Sequence, residues 1–434
     1  MKFGRSIGLL AALVSALCVG ALLSVAVTTK SYSESYPAVV CPPTIAGLTS
    51  QISLTSKKTP FQRLQNRTNK TAPVKVLRLP VNKDSLLFNS EGVAPVVWQS
   101  KASSWAGGAV CTGPATSQWF VGGTADITTR GRLMIVNSGL SDAVVDVQSF
   151  TENGKQPVRT ITVVSKNYIV IPTDSLAPGD KYLTVHVAPR SGRVNAFMID
   201  EQSKGLRSLG GDLVNSASTP TKSLLIPAIP NQIIKNTKTL PHTLRVLSPG
   251  DVDASVTAEV LSADGVFVPV GLTSRTVSAG IVTEFQFTPK ITSTVLAIRI
   301  TSTEPVVAAI KSTVTVSGRK DFVWSTSAPE LVPLTIAISG LTPLVSFAGD
   351  QINVSLDVTM NNGKVIRKTI KGTDIATWRA PDAARSFTIT KVGPDTFAGA
   401  LVSSVNGYGY FPIAPGSLFT KIELPDSNIR VLNP

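Results

Sequence analysis

The residues able to do acid–base, metal or nucleophilic chemistry are few in this 434-residue chain, which has two histidines and three cysteines. His186 sits in YLTVHVA, where strand alternation makes it one face residue among Thr and Val. A general base needs a nucleophile within reach and a carboxylate to orient it, and the sequence nominates neither. His242 follows Pro241 at a strand entrance and is expected to be structural. There is no His-x-x-His, no Cys-x-x-Cys and no dense acidic loop, so no metal and no cofactor are expected. Gly122–Gly123 lacks the following Lys-Ser/Thr and the βαβ setting of a phosphate loop. Glycoside hydrolysis needs two carboxylates across a cleft, and none of the 27 acids stands out as half of a pair. The expectation is a protein that is not an enzyme.

Binding chemistry is better represented. Trp98, Trp105 and Trp119 bracket Cys111; exposed, such rings stack on sugars or anchor an interface, whereas beside a cystine they form core. The chain carries a net charge of +14, which attracts anionic partners and aids solubility. Between Ser35 and Lys83 there is no acid but eight basic residues. Of these, Lys57, Lys58, Arg63, Arg67 and Lys70 are candidates for contact with lipid headgroups or an acidic wall polymer, and a solvated linker is the competing reading. No zinc-finger spacing, RNP-type strand or basic helix accompanies the charge, so nucleic acid is not an expected partner. Cys18 lies in an apolar run, which leaves Cys41 and Cys111 as the downstream pair. In an exported chain such a pair implies a disulfide.

The elements that must carry these residues begin with Ile7 to Val27, a charge-free run of 21 residues. It is long enough to cross a hydrocarbon core of about 30 Å. Lys2 and Arg5 precede it and hold that end in the cytoplasm, which places the remainder outside. A single-pass signal-anchor in the cell membrane is the primary reading, with secretion after signal cleavage as its rival.

Beyond it, abundant Val, Thr, Ile and Ser with 32 Gly and 29 Pro favour short strands and turns. The resulting expectation is an all-β chain of tandem antiparallel Ig-like sandwiches behind one N-terminal transmembrane helix. Its parts are a signal-anchor over 1–30, a basic extracytoplasmic segment with the disulfide over 31–115, and sandwiches over 116–215, 220–328 and 330–434. Gly139, Asp142, Ala143 and Gly154 recur as Gly250, Asp253, Ala254 and Gly265 at a constant offset of 111 residues. That spacing fits tandem domains rather than a solenoid, and each recurring Asp is expected to bond its own turn. A looser third copy runs from Gly349 to Gly363. In the basic segment, SKKTPFQRLQNRTNKT is polar and aperiodic and is expected to lack fixed structure. VKVLRLPV and VAPVVWQS follow it and read as strands available to the first sandwich.

The stretch from Cys111 to Met198 resembles an actinobacterial family known as domain of unknown function 5719. The likeness rests on CTGPATSQWFVGG, RLMIVNSG, AVVDVQSFTENG, LAPGDKYLTVHV and SGRVNAF. The resemblance implies an N-terminal span and exported β-domains in the cell envelope, with genes often beside a glycosyltransferase. It supplies no catalytic residue. Two functions follow as expectations: an envelope protein that scaffolds or binds another envelope protein, or a wall-polymer-binding module acting with a glycosyltransferase.

Overall fold

The computed structural model describes residues 11–15, 17–19, 39–56, 58–65, 69–71, 76–88, 93–205, 207–234 and 238–415. Residues 11–15 and 17–19 are helical with exposed side chains. Among the described residues no helix is long and apolar enough to cross a membrane; Ile7 and Val27 themselves lie outside them. Pro37–Leu418 is one compact unit, built almost wholly of antiparallel sheets.

In the stretch from Gln118 to Val214, two sheets face each other across a core. Arg132–Asn137 pairs with Asn167–Pro172 and Asn195–Lys204 in one sheet. Ala143–Thr151 pairs with Arg159–Val163 and Thr184–Ser191 in the other. Strand alternation sends Leu133 and Ile135 from the first and Val145, Val147, Val185 and Val187 from the second into the same interior.

The recurring motif is one turn made twice. Ala143–Thr151 and Ala254–Ser262 are strands of equal length. Asp142 accepts the Ser165 N–H at 2.8 Å, and Asp253 accepts that of Ala279 at 2.8 Å. A second device is kept although its residue slips by one position. Glu152 accepts the backbone N–H groups of Lys181 and Tyr182, each at 2.8 Å. Asp264 accepts those of Thr292 and Ser293, at 2.7 and 2.8 Å. Both turns use a carboxylate to satisfy backbone donors that no ladder reaches.

Two apolar runs, VLAIRITS and VVAAIKSTVTV, belong to a single strand of 22 residues, Val295–Val316. Its first half pairs with Thr221–Pro230 and Ala254–Ser262. Its second half pairs with His242–Leu247 and Arg319–Thr326. The ladder changes partners around Glu304–Pro305, where proline brings no N–H, so this strand joins both layers around one core.

The N-terminal segment departs from its expected partner. VAPVVWQS lies in Val93–Lys101, which pairs in parallel with Leu334–Ala337 and not with a described strand of the first sandwich, although Val97 packs among Met134, Val136 and Phe197 of that sandwich. Strands from 49–110 and from 334–412 therefore share one ten-stranded sheet and one core. The polar stretch SKKTPFQRLQNRTNKT also departs from expectation. Pro60–Arg63 and Asn69–Thr71 form a paired ladder, with Phe61 packed on Phe88 at 6.1 Å. Phe61 and Leu64 enter the core and Pro60–Arg63 also pairs with Leu86–Phe88, which orders a segment whose overall pattern is polar. Cys41 and Cys111 form a disulfide across 70 residues, and both are fully buried.

Four hairpins converge at the centre. Their returning strands are Trp105–Val110, Arg207–Val214, Arg319–Thr326 and Tyr408–Pro412. The first packs on the second and the fourth, and the third packs on the same two, which closes a ring. Side chains stitch the ring where no ladder does. Gly211 N–H donates to Asp321 at 3.1 Å, and Trp324 N–H donates to Asp212 at 2.7 Å. Asn215 donates to the carbonyls of Gly108 and Tyr410 at 2.9 and 2.8 Å, and the Tyr410 hydroxyl donates to Thr326 O at 2.8 Å. At Gly407 an added Cβ would stand 2.2 Å from the Ala106 backbone nitrogen. Any other residue there would push two strands of the ring apart.

Candidate functional site

The hub gathers the densest set of ionisable groups. Asp200, Asp212 and Asp321 are all buried. Trp324 Nε1 donates to Asp200 at 2.9 Å. Burial holds the Asp212 carboxyl well above its usual range, and raises Asp321 to about 7 against the pull of the Phe322 and Gly211 N–H groups. Arg245, 3% exposed, pairs with Glu284 at 2.6 Å and donates to the carbonyls of Gly123 and Leu183 at 2.6 and 2.9 Å. Its guanidinium also lies 4.7 Å from the Trp324 ring centre, and Lys311 lies 4.1 Å from that of Phe322. Each charged group faces at least one ring, carbonyl or N–H donor, although one carboxylate oxygen of Asp200 and one of Asp321 are buried without a partner. This arrangement binds the strands of the hub together.

A different arrangement exists where the ten-stranded sheet meets the turns of the last hairpins. A cleft of about 320 Å³ opens there. Register puts Gln51 opposite Trp98 and Thr49 opposite Ser100, and the period of two places all four on one face of the sheet. Arg78 stands on the neighbouring strand. The opposite lip consists of Leu341, Thr342 and the turn at Ser404–Asn406, which Gly407 fixes to the hub. Arg78 Nη1 donates to Gly340 O at 3.1 Å. Gly340 has φ +73°, and an added Cβ would lie 2.8 Å from Arg78 Cδ, so glycine lets the side chain cross that turn. Arg78 Nε is buried without a partner. Among the described residues no carboxylate pairs with Arg78, and burial lowers its pKa unopposed.

A smaller cleft of about 210 Å³ is lined by Arg299, but there Asp350 and Glu259 neutralise the guanidinium. Exposed basic residues also occur on Val365–Arg379, which among the described strands pairs only with Leu344–Met360. Lys368 and Lys371 point no charge at an acid there, whereas Arg367 pairs with Asp357 at 3.0 Å.

The residues singled out from sequence are scattered. Trp98, Trp105 and Trp119 are 6%, 0% and 7% exposed, and none presents an open face. Only Trp98 also lines the cleft. Trp119 stacks on His186 with centroids 4.0 Å apart. His186 Nε2 is 2.9 Å from Ser117 Oγ, and burial lowers its pKa. Among the described residues no carboxylate bonds the ring, so the pair lacks its orienting third member. His242 is held between Ser312 and Asn231 at 2.9 and 3.3 Å, and burial lowers it to about 4. Of the basic set, Lys58 is exposed and Arg63 half-buried; Lys57 and Arg67 and the side chain of Lys70 lie outside the described residues. No cluster of three or more His, Cys, Asp or Glu able to hold a metal occurs among the described residues. Arg78 belonged to the basic run in sequence, yet only the fold separates it from its neighbours.

A family model described as a family of unknown function, DUF5719, matches residues 93–371. The match takes in three of the hub strands, while Arg78 and Asn406 lie outside it. No curated protein matches. A crystal structure of Thermotoga maritima 1070 matches 26% of this chain and 97% of its own at 16% identity, with a TM-score of 0.17, a likeness too slight to carry an argument.

Proposed function

The chain belongs to the DUF5719 family of unknown function, and from that premise we propose that it is a non-enzymatic protein of the actinobacterial cell envelope. It is anchored in the cytoplasmic membrane by Ile7–Val27, and its Ig-like β-modules work outside as a scaffold or binding protein. The observation that carries this reading is the buried Cys41–Cys111 disulfide, because such bonds persist in oxidising, extracytoplasmic compartments. The closed hub adds support, since it makes one stiff body of modules that simple tandem linkage would leave independent. The basic balance of +14 favours acidic partners at the membrane or wall.

A second reading is a wall-polymer-binding module that acts beside a glycosyltransferase, and the Arg78 cleft favours it. Crosslinking in intact cells, followed by identification of what is captured, tests both. Envelope proteins or wall polymer are the expected catch. Recovery of cytoplasmic proteins alone contradicts the topology. N-terminal sequencing of the purified chain separates the anchor from its rival: an intact Ile7–Val27 segment is expected, and its loss establishes secretion after cleavage.

A further inference from the structure

We propose that the cleft binds a carboxylate-bearing sugar ring, such as a residue of an acidic polysaccharide, with Arg78 holding the carboxylate. The inference rests on the polymer-binding reading and names its ligand class.

A guanidinium held partly out of water without a counterion is an unfavourable arrangement that an anion relieves. Arg78 is positioned by one bond to Gly340 O and keeps Nε unpartnered. Nε is closed to solvent, so the donors left for a carboxylate are those at the Nη end of the guanidinium, which can meet it at two points. Among the described residues no acid lines the cleft, so none of them repels an anion there. The Arg299 cleft differs on this point, because its cation is already satisfied by Asp350 and Glu259.

The remaining walls select for a sugar over a bare ion. Gln51, Thr342, Ser403 and Asn406 offer neutral amides and hydroxyls, while Trp98 and Leu341, 6% and 3% exposed, add only a narrow apolar edge. A pyranose has the same division, with hydroxyls round its rim and C–H groups on its faces. A volume of about 320 Å³ lies at the small end of ligand sites. It admits one or two rings and, being open, lets a polymer continue past it.

The test is calorimetric titration of the full-length protein with oligogalacturonate, its methyl ester, and inorganic phosphate. Binding of oligogalacturonate that weakens with salt is expected, with the ester at least tenfold weaker. Arg78→Gln should lose roughly tenfold to a hundredfold in affinity, the range for a charge-assisted contact. Asn406→Ala should lose less, and Lys371→Gln, on the exposed strand, should lose none. An unchanged melting curve for Arg78→Gln shows that the loss is local. The proposal is overturned if oligogalacturonate does not bind, if the ester binds equally, if phosphate binds as tightly, or if Arg78→Gln leaves the affinity intact. Wall polymer captured in cells equally by the wild type and by Arg78→Gln would remove the cleft while keeping the polymer-binding reading.

Discussion

The hub and the cleft each set charged groups beside a tryptophan, yet they resolve the charge in opposite ways. In the hub, Asp212 and Asp321 receive backbone N–H groups from the strands they join, and Arg245 finds Glu284 and two carbonyls. In the cleft, Arg78 meets one carbonyl and no acid. The hub gives each of its charged groups at least one internal partner, even though single oxygens of Asp200 and Asp321 stay unpartnered, whereas the cleft, among the described residues, leaves its cation without a counterion. The contrast separates groups that build the molecule from a group available to act.

The largest break in that contrast comes from stripping a hub charge of its partner. Glu284→Ala leaves Arg245 buried and uncompensated, and a loss of about 3–5 kcal/mol is expected in denaturant unfolding. Gly407→Ala should cost about 1–3 kcal/mol or more by overpacking against the Ala106 backbone. Replacing Cys41 and Cys111 together by serine should cost about 2–4 kcal/mol, read as a lower unfolding midpoint.

A pH series sharpens the comparison further. Asp321 titrates at about 7 when folded, above the unfolded range near 4. The folded state therefore binds that proton more tightly, and stability falls as pH rises from about 4 to about 7, then levels. Asp212 is shifted in the same direction. Asp264, lowered to about 2 by Thr292 and Ser293, acts the other way, and its contribution is lost as pH falls from about 4 through 2. Asp321→Asn keeps an acceptor for the Gly211 and Phe322 N–H groups and should flatten the decline between pH 4 and 7 in thermal melts. The smallest effect belongs to Arg78→Gln, which should alter stability by no more than about 0.5 kcal/mol.

Much of the outer architecture was legible because it obeys alternation. AVVDVQSF, NYIVIP and ASVTAEVLSA are strands in the structure, but Asp142 and Asp253 bond the backbone of loops 23 and 26 residues further on and not, as expected, their own turns. The hub was not legible. SLGGDLV and RKDFVWST escape pattern reading because Asp212 and Asp321 are polar residues at buried positions, and a periodic reading assigns polar groups to the surface. Partner choice was hidden for another reason. The pairing of Val93–Lys101 with Leu334–Ala337 spans most of the chain, and no local signal specifies it. Arg78 looked like any other member of a basic run. What sets it apart from its sequence neighbours is its place in the wall of a cleft that, among the described residues, contains no acid.

The most direct test runs two variants through the same two measurements, thermal melting and oligogalacturonate titration. Asp321→Asn should change the pH dependence of melting and keep the wild-type affinity, while Arg78→Gln should keep the melting curve and lose affinity. If Asp321→Asn abolishes binding in a folded protein, or Arg78→Gln binds as the wild type does, the division between a hub that builds and a cleft that binds is wrong.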